Sequence, residues 1–529
     1  MKLGKRFKLL TIVLIVVLLT LGAPLLAYGG DKETLAEVRE LLRNSYVEVV
    51  SEDVLSAPTI NEMLRKLGDE HTQYLPKAEH DQFLNTLDRA FSGVGVELEI
   101  VPQGVLVTKA IEGYGAYKAG VRAGDIITEA DGNSFAGKTA EYCVSKLRGA
   151  EGSKVRLEVK RGTEILGFTL ERMVIELPLV ESGILENHIG YIGIYSFGQD
   201  TVAQFDKHAQ ALKSKGVDSW IIDLRDNGGG YTQAALELLG FFIEDKRALI
   251  LKDKSNLAPV HKATKQAYTL EGPIILLING FTGSSSEIVT AALKDHNKAT
   301  LIGETTFGSG RVKALVPLTN GDYFKMTVNK FFSPNNNPID EVGITPHLAL
   351  SEGDELQAAF LMLKEYNKDA AGNDEEGENG HIRLNAGPNV FTISPEELKK
   401  PENWKLGKEI LDSAYVITTP ELERYKLYYP EYTQAGNLSG VPLDKKFTVT
   451  FTREMDWQSV KPDSIELINT LTGERIGCSL AFEDEKVMIV TPQTKLRANI
   501  DYWLVIHSVL KDVEGRNITG GVALAKTVK

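Results

Sequence analysis

Three consecutive serines, Ser284-Ser285-Ser286, stand on a glycine-flanked turn inside Asn279–Ile288 (NGFTGSSSEI), just ahead of an apolar helical stretch. A serine hydroxyl becomes a useful nucleophile only when a neighbouring group takes its proton. The cluster therefore directs attention to the nearby segment Thr306–Lys313 (TFGSGRVK). A serine at a helix start also serves as an N-cap, and among three at least one is expected to do so. Gly228-Gly229-Gly230 follows an apolar strand and precedes a helix. Glycines there let backbone N–H groups approach a ligand where the helix end favours negative charge, which suits one half of an oxyanion hole. A tight strand-to-helix turn uses the same residues. Gly93-Val94-Gly95-Val96 could present successive N–H groups at a strand start, a nest for a C-terminal carboxylate. The competing reading is a plain glycine hairpin.

The elements that must position these residues follow from the hydrophobic pattern. Leu35, Val38, Leu41 and Leu42 share one helical face, as do Ile60, Met63, Leu64 and Leu67, so Asp31 to about Arg89 reads as helices. From Phe91 to about Arg172 come short strands and glycine turns, with a helix over Thr139–Arg148. Leu177 to Leu350 alternates apolar strands (SWIIDLR, PIILLIN, KATLIGE) with helices at Val202–Lys215, Thr232–Phe242 and Ser285–Lys294, the pattern of an α/β layer structure. Asp369–Gly380 is acidic and glycine-rich, which marks a linker. Pro388–Pro430 has helical and aromatic pieces that the pattern does not assign. Leu438–Lys529 returns to alternating strands with regular turns, a small β-sandwich.

The chain has 529 residues, 43% hydrophobic and 25% charged, ordinary globular values that correspond to about three domains. Its net charge of −13, with no basic tract beyond the N-terminus, speaks against nucleic acid as a partner. Lys2, Lys5, Arg6 and Lys8 precede an uncharged run from Leu9 to Tyr28, so residues 1–30 read as an export signal, either cleaved or retained as a membrane anchor. Either way the rest of the chain is expected outside the cytoplasm, extracellular or in the cell envelope. The two cysteines, Cys143 and Cys478, fall in different parts of the chain and are expected as small buried apolar residues. Nine scattered histidines show no metal-ligand spacing, so neither a metal nor a cofactor is indicated.

Several stretches resemble, in chain order, the C-terminal-processing or tail-specific serine peptidases. They are Leu67–Leu75 (LGDEHTQYL), Phe91–Val96 (FSGVGV), Ala119–Ile127 (AGVRAGDII, similar to a PDZ strand and turn), Asp223–Gly230 (DLRDNGGG) and Thr282–Ile288 (TGSSSEI). The resemblance covers roughly Asp31 to Leu350. It implies N-terminal helices over 31–90, a PDZ domain over 91–172 and a crotonase-like α/β peptidase core over 173–368. Then follow a linker and unassigned segment over 369–437 and the sandwich over 438–529, in all a multidomain α/β chain. Phe447–Asp456 and Leu510–Arg516 resemble bacterial Ig-like domains of surface-layer proteins, so the last part is expected as an envelope spacer. The resemblance makes Ser284 the nucleophile and gives the oxyanion to the N–H groups of Gly230 and Ser285. It assigns tail binding to Gly93–Val96, with protein or peptide C-termini as partners and pairing of N-terminal helices into a homodimer as in relatives. Asp223 and Arg225 read as loop buttresses, and Glu287 as a first-turn acid favoured by the helix dipole rather than a catalytic group.

At one point the chain departs from the family. The family's general-base lysine maps onto Ser309 and its supporting glutamine onto Lys313. Three readings follow. Lys313, with its pKa lowered by partial burial, takes over as base while Ser309 orients its ammonium or relays a proton. Alternatively Lys313 is a solvated strand lysine and the chain is an inactive PDZ-containing envelope adaptor. In the third, a histidine, nearest by motif His71, acts with Ser284 as in tricorn-like relatives.

Overall fold

The structure is a computed structural model that describes residues 32–186, 188–365, 382–413, 424–461 and 463–528, with the backbone of 415–416. The expected export signal over residues 1–30 and the expected Asp369–Gly380 linker lie outside the described residues. The described residues form two compact units, one holding 32–81 with Asp253–Leu257 and Val312–Asn329, the other holding the rest of them.

In the first unit, helices run over Lys32–Ser45, Glu52–Leu55 and Ile60–Leu67. Thr59 caps the third by accepting from the Glu62 N–H at 3.2 Å, and Gly68 closes it at φ 70. Val38, Leu42, Ile60 and Met63 bury against Leu318, Phe324 and Met326. Where helices were expected throughout, Gln73–Leu75 instead forms a strand antiparallel to Tyr323–Lys325. Its partner lies some 250 residues on, so no local period announces it. Asp69, which follows the cap glycine, accepts from Thr72 Oγ1 (2.6 Å), Thr327 Oγ1 (2.9 Å), the Tyr46 hydroxyl (3.2 Å) and the His71 N–H (3.0 Å). The Leu-Gly-Asp stretch is thus a structural knot of this unit. His71 itself is exposed on that turn.

The second unit begins with a sheet ordered 96–101, 104–110, 126–130, 154–161, 164–171. The helix Ala140–Leu147 starts at Thr139, whose hydroxyl accepts from the Tyr142 N–H. Val105, Val107, Ile127, Phe135, Cys143, Leu157 and Val159 form the core here. Among the described residues the first strand, Val96–Val101, pairs only with its hairpin neighbour and has its other edge unpaired.

The next sheet is ordered 180–186, 189–194, 219–223, 274–278, 300–303, 348–349, antiparallel at its first pair and parallel thereafter. Ser219–Asp223, Ile274–Ile278 and Thr300–Gly303 are buried at every position, as strands covered on both faces must be. Helices Thr201–Lys213, Thr232–Ile243, Ser285–Asp295 and Glu355–Lys364 accompany them.

The stretch without a sequence assignment folds as a hairpin, Ile382–Ala386 with Asn389–Ile393, followed by the helix Trp404–Ser413. The Trp404 ring stacks on Tyr428 at 4.7 Å and meets Trp503 edge-on at 5.7 Å. One apolar core therefore runs from Ile221 and Ile275 through Leu384 and Trp404 to Trp503 and Val522. The C-terminal sandwich has a five-stranded and a three-stranded sheet over Phe447, Leu467, Val490 and Leu504. Cys143 is buried as expected; Cys478 is half-buried, and burial pushes its thiol up to about 11.

Candidate active site

The buried strand Ile274–Ile278 ends at Asn279, and within five residues the chain turns into the helix Ser285–Asp295. Ser284, the residue before the helix, sits at φ 53 and ψ −116. A side-chain-bearing residue holds that conformation only when its surroundings impose it, and three ties do so. The Ser284 N–H donates to Glu287 Oε2 at 2.9 Å. The Gly283 N–H donates to the Asn227 carbonyl at 3.0 Å. Thr282 Oγ1 donates to the Leu224 carbonyl at 2.9 Å.

The burial of the three serines sorts them. Ser285 donates its hydroxyl to the Gly230 carbonyl at 2.9 Å, and Ser286 donates to the Asn227 carbonyl at 2.8 Å. Both are buried and bonded inward, whereas Ser284 is half-buried at the turn itself.

The loop Asp223–Gly230 is welded to this turn. Asn227, fully buried, donates through Nδ2 to the Ile194 carbonyl (2.8 Å) and accepts through Oδ1 from the Gly229 N–H (2.9 Å). Asn279 and Asp226 exchange two hydrogen bonds, at 2.9 and 3.0 Å. Gly229, at φ 108, packs so closely that an added Cβ would lie 2.8 Å from Ser284 Cβ and 2.9 Å from the Ser285 nitrogen. Its carbonyl accepts from the Phe197 N–H at 3.0 Å. The peptide is trans, which turns the Gly230 N–H away from Phe197. Gly230 and Ser285 are thus brought together beside Ser284.

Beneath the loop, Arg225 grips Asp223 and reaches Glu355 at 2.9 Å, and Tyr191 donates to Asp223 at 3.0 Å. Burial alone would lower the Arg225 pKa, but Asp223 and Glu355 outweigh it and hold the guanidinium firmly charged. Burial, then the Asp223 charge, pushes the Tyr191 hydroxyl well above its ordinary range. This network supports the loop, as Asp223 and Arg225 were expected to do.

Glu287 does more than complement a helix dipole. It is fully buried and accepts four hydrogen bonds. Besides Ser284, the donors are Thr306 Oγ1 (2.6 Å), the Gly308 N–H (2.7 Å) and the Ser309 N–H (2.8 Å). Ser309 is therefore held next to the Ser284 turn through its backbone. The signal for this role was present as a Ser-x-x-Glu capping box over Ser284–Glu287, but the donors at 306–309 are invisible to local reading. Lys313 is half-buried on the strand Arg311–Pro317, within the stretch that belongs to the other unit, as does His71.

At the other candidate site, Gly93 ends the strand Ala90–Gly93 and Val96 opens the free-edged strand. The Val94 and Gly95 carbonyls accept from the Ala116 and Ile111 N–H groups at 2.8 and 2.9 Å. Trans peptide geometry turns the following N–H groups, those of Gly95 and Val96, away from those carbonyls. Among the described residues no group of three or more His, Cys, Asp or Glu side chains could hold a metal ion.

Residues 188–350 match Peptidase family S41, 106–161 match a PDZ domain and 432–527 match a bacterial Ig-like domain. The carboxy-terminal processing protease CtpB of Bacillus subtilis (strain 168) is 33% identical over 62% of this chain and 69% of its own length. The chain belongs to peptidase family S41. A second relative from the same organism, the carboxy-terminal processing protease CtpA, is 30% identical over 64% of this chain and 74% of its own. Among solved structures, the photosystem II D1 C-terminal processing protease is 22% identical, with a TM-score of 0.41, over 61% of this chain and 93% of that one. Membership of S41 makes the protein a serine peptidase, similar to carboxy-terminal processing proteases, with the expected PDZ and Ig-like parts in the expected order.

Proposed function

We propose that the protein is an exported endopeptidase that holds a substrate's C-terminus on its PDZ domain and cuts through an acyl-enzyme on Ser284, with Lys313 as the base. The observation that carries this reading is the strained Ser284 turn, clamped against Gly229 and Gly230 and against Glu287. A neutral Lys313 amine takes the Ser284 proton as Oγ attacks the scissile carbonyl. The N–H groups of Gly230 and Ser285 receive the negative charge that develops on the carbonyl oxygen. The ammonium then protonates the departing amine, and the same base activates the water that hydrolyses the ester. Ser309 orients the ammonium or relays its proton.

The tail is taken at the Gly95 and Val96 N–H groups, with the extended chain adding to the free edge of Val96–Val101. Export rests on the basic residues 2–8 ahead of the apolar run 9–28, and the Ig-like part serves as an envelope spacer.

The test compares wild type, Ser284→Ala and Lys313→Ala on an unstructured protein carrying a C-terminal tag. Wild type is expected to cut. Ser284→Ala is expected to abolish cutting, and Lys313→Ala to lower it by about 100-fold or more, in the range of a lost general base. Wild type that binds the tag and never cuts would identify a silent adaptor. Cutting that survives Lys313→Ala would transfer the base role to another group, His71 first.

A further inference from the structure

Glu287 Oε2 accepts both the Ser284 N–H at 2.9 Å and the Ser309 N–H at 2.8 Å, so the amides of the nucleophile and of the family's base position meet at one oxygen atom. Its other oxygen accepts from Gly308 N–H and Thr306 Oγ1. Thr306 Oγ1 in turn accepts from the Ile344 N–H at 2.8 Å. A second tie crosses the same two segments, the Phe307 N–H donating to the Thr282 carbonyl at 2.9 Å. Every one of these partners at 306–309 is a backbone group except the Thr306 hydroxyl. The clamp therefore acts on the peptide at position 309 and is indifferent to the side chain there.

We infer that Glu287 is a positioning residue that keeps intact the seat of a base at position 309, so that a lysine placed there serves Ser284 although Ser309 now fills it. A fully buried acceptor has strong reason to keep these donors, since leaving a buried polar atom without partners costs its full desolvation penalty. Glutamine at 287 would present an amide N–H₂ toward N–H donors and lose at least one of them. The inference rests on Ser284 being the nucleophile.

The experiment crosses Ser309→Lys with Glu287→Gln in the full-length protein. It reads initial rates on the unstructured tagged protein and the rate at which a fluorophosphonate probe labels the serine. Ser309→Lys alone is expected to raise kcat by on the order of 100-fold, the contribution of a positioned general base, without a matching change in KM, and to make cutting independent of Lys313. In the Glu287→Gln background that gain is expected to vanish, so the two substitutions couple in a double-mutant cycle.

Thr306 gives a second handle should Glu287→Gln fail to fold. Thr306→Val, which removes one donor and one acceptor, is expected to diminish the Ser309→Lys gain, and Thr306→Ser, which keeps the hydroxyl, to preserve it. No gain from Ser309→Lys overturns the inference, as does an equal gain with and without Glu287 and Thr306. Adding Ser284→Ala to Ser309→Lys separates the two readings. Probe labelling and cutting that persist there defeat the nucleophile assignment, whereas their loss alongside an uncoupled gain defeats only the role of Glu287.

Discussion

At the scale of single residues, the turn at Ser284 is shaped by neighbours that have no room to move. Gly229 packs on it at φ 108, where a Cβ would fall 2.8 Å from Ser284 Cβ and from the Gly283 carbonyl oxygen. Gly229→Ala should therefore displace the turn or the loop by on the order of 1 Å, a misplacement that costs about 100-fold in rate. Steady-state kinetics should show the loss in kcat. Thermal unfolding should report a destabilisation of about 1–3 kcal/mol from the strained backbone. A wild-type kcat in this variant would mean that the Gly229 contact does not shape the site. Much at this scale was legible in the sequence, since three serines beside glycines already signalled a nucleophile. Which of the three is set apart came only from the family resemblance, which points to Ser284, and not from local pattern. It depends on Ser285 and Ser286 finding carbonyls at Gly230 and Asn227, more than fifty residues upstream, and on the four donors that converge on Glu287.

At the scale of elements, strands announced themselves as apolar runs bounded by turns, and helices where one apolar face recurred, as over Ile60–Leu67. The strand Gln73–Leu75 and the hairpin 382–393 escaped because each takes its stability from partners far along the chain. The free-edged strand Val96–Val101 is the element with the plainest consequence. A Cβ on Gly95 would come 2.2 Å from Tyr114 Cβ, and Gly95 stands at φ 80, so Gly95→Val should collapse the loop proposed to take the carboxylate. Fluorescence polarisation of a labelled tail peptide should then show affinity at least about tenfold weaker, the effect of some 1.4 kcal/mol. Wild type should discriminate in the same sense against the peptide with an amidated C-terminus. Equal binding of the acid and amide forms would remove the carboxylate from recognition.

At the scale of the whole molecule, acid should loosen the packing between the core sheet and the hairpin that follows it. His347 accepts the Leu301 N–H through Nδ1 at 2.9 Å and lies against Gly387. Burial first, and the Lys294 charge second, push its pKa down to about 4. The unfolded chain, with an ordinary histidine near 6.5, binds the proton more readily than the folded one. Stability from this group is thus complete above about pH 6.5, declines as pH falls toward 4 and changes no further below that. Melting temperatures across that window should fall less steeply in His347→Gln. Some slope should remain because burial, aided by Lys207, also lowers the pKa of His208. An unchanged slope in His347→Gln would exonerate this histidine.

The Trp404–Tyr428–Trp503 stack gives the Ig-like part a standing that the expectation of an envelope spacer did not include. A spacer strung on a linker is a bead, free to be exchanged, multiplied or shed without disturbing the enzyme. This one shares a tryptophan with the helix that follows the core, so a substitution at Trp404 is answered on both sides at once. One continuous apolar core joins the central sheet, that helix and the outer sandwich, so none of the three can be repacked there without the others.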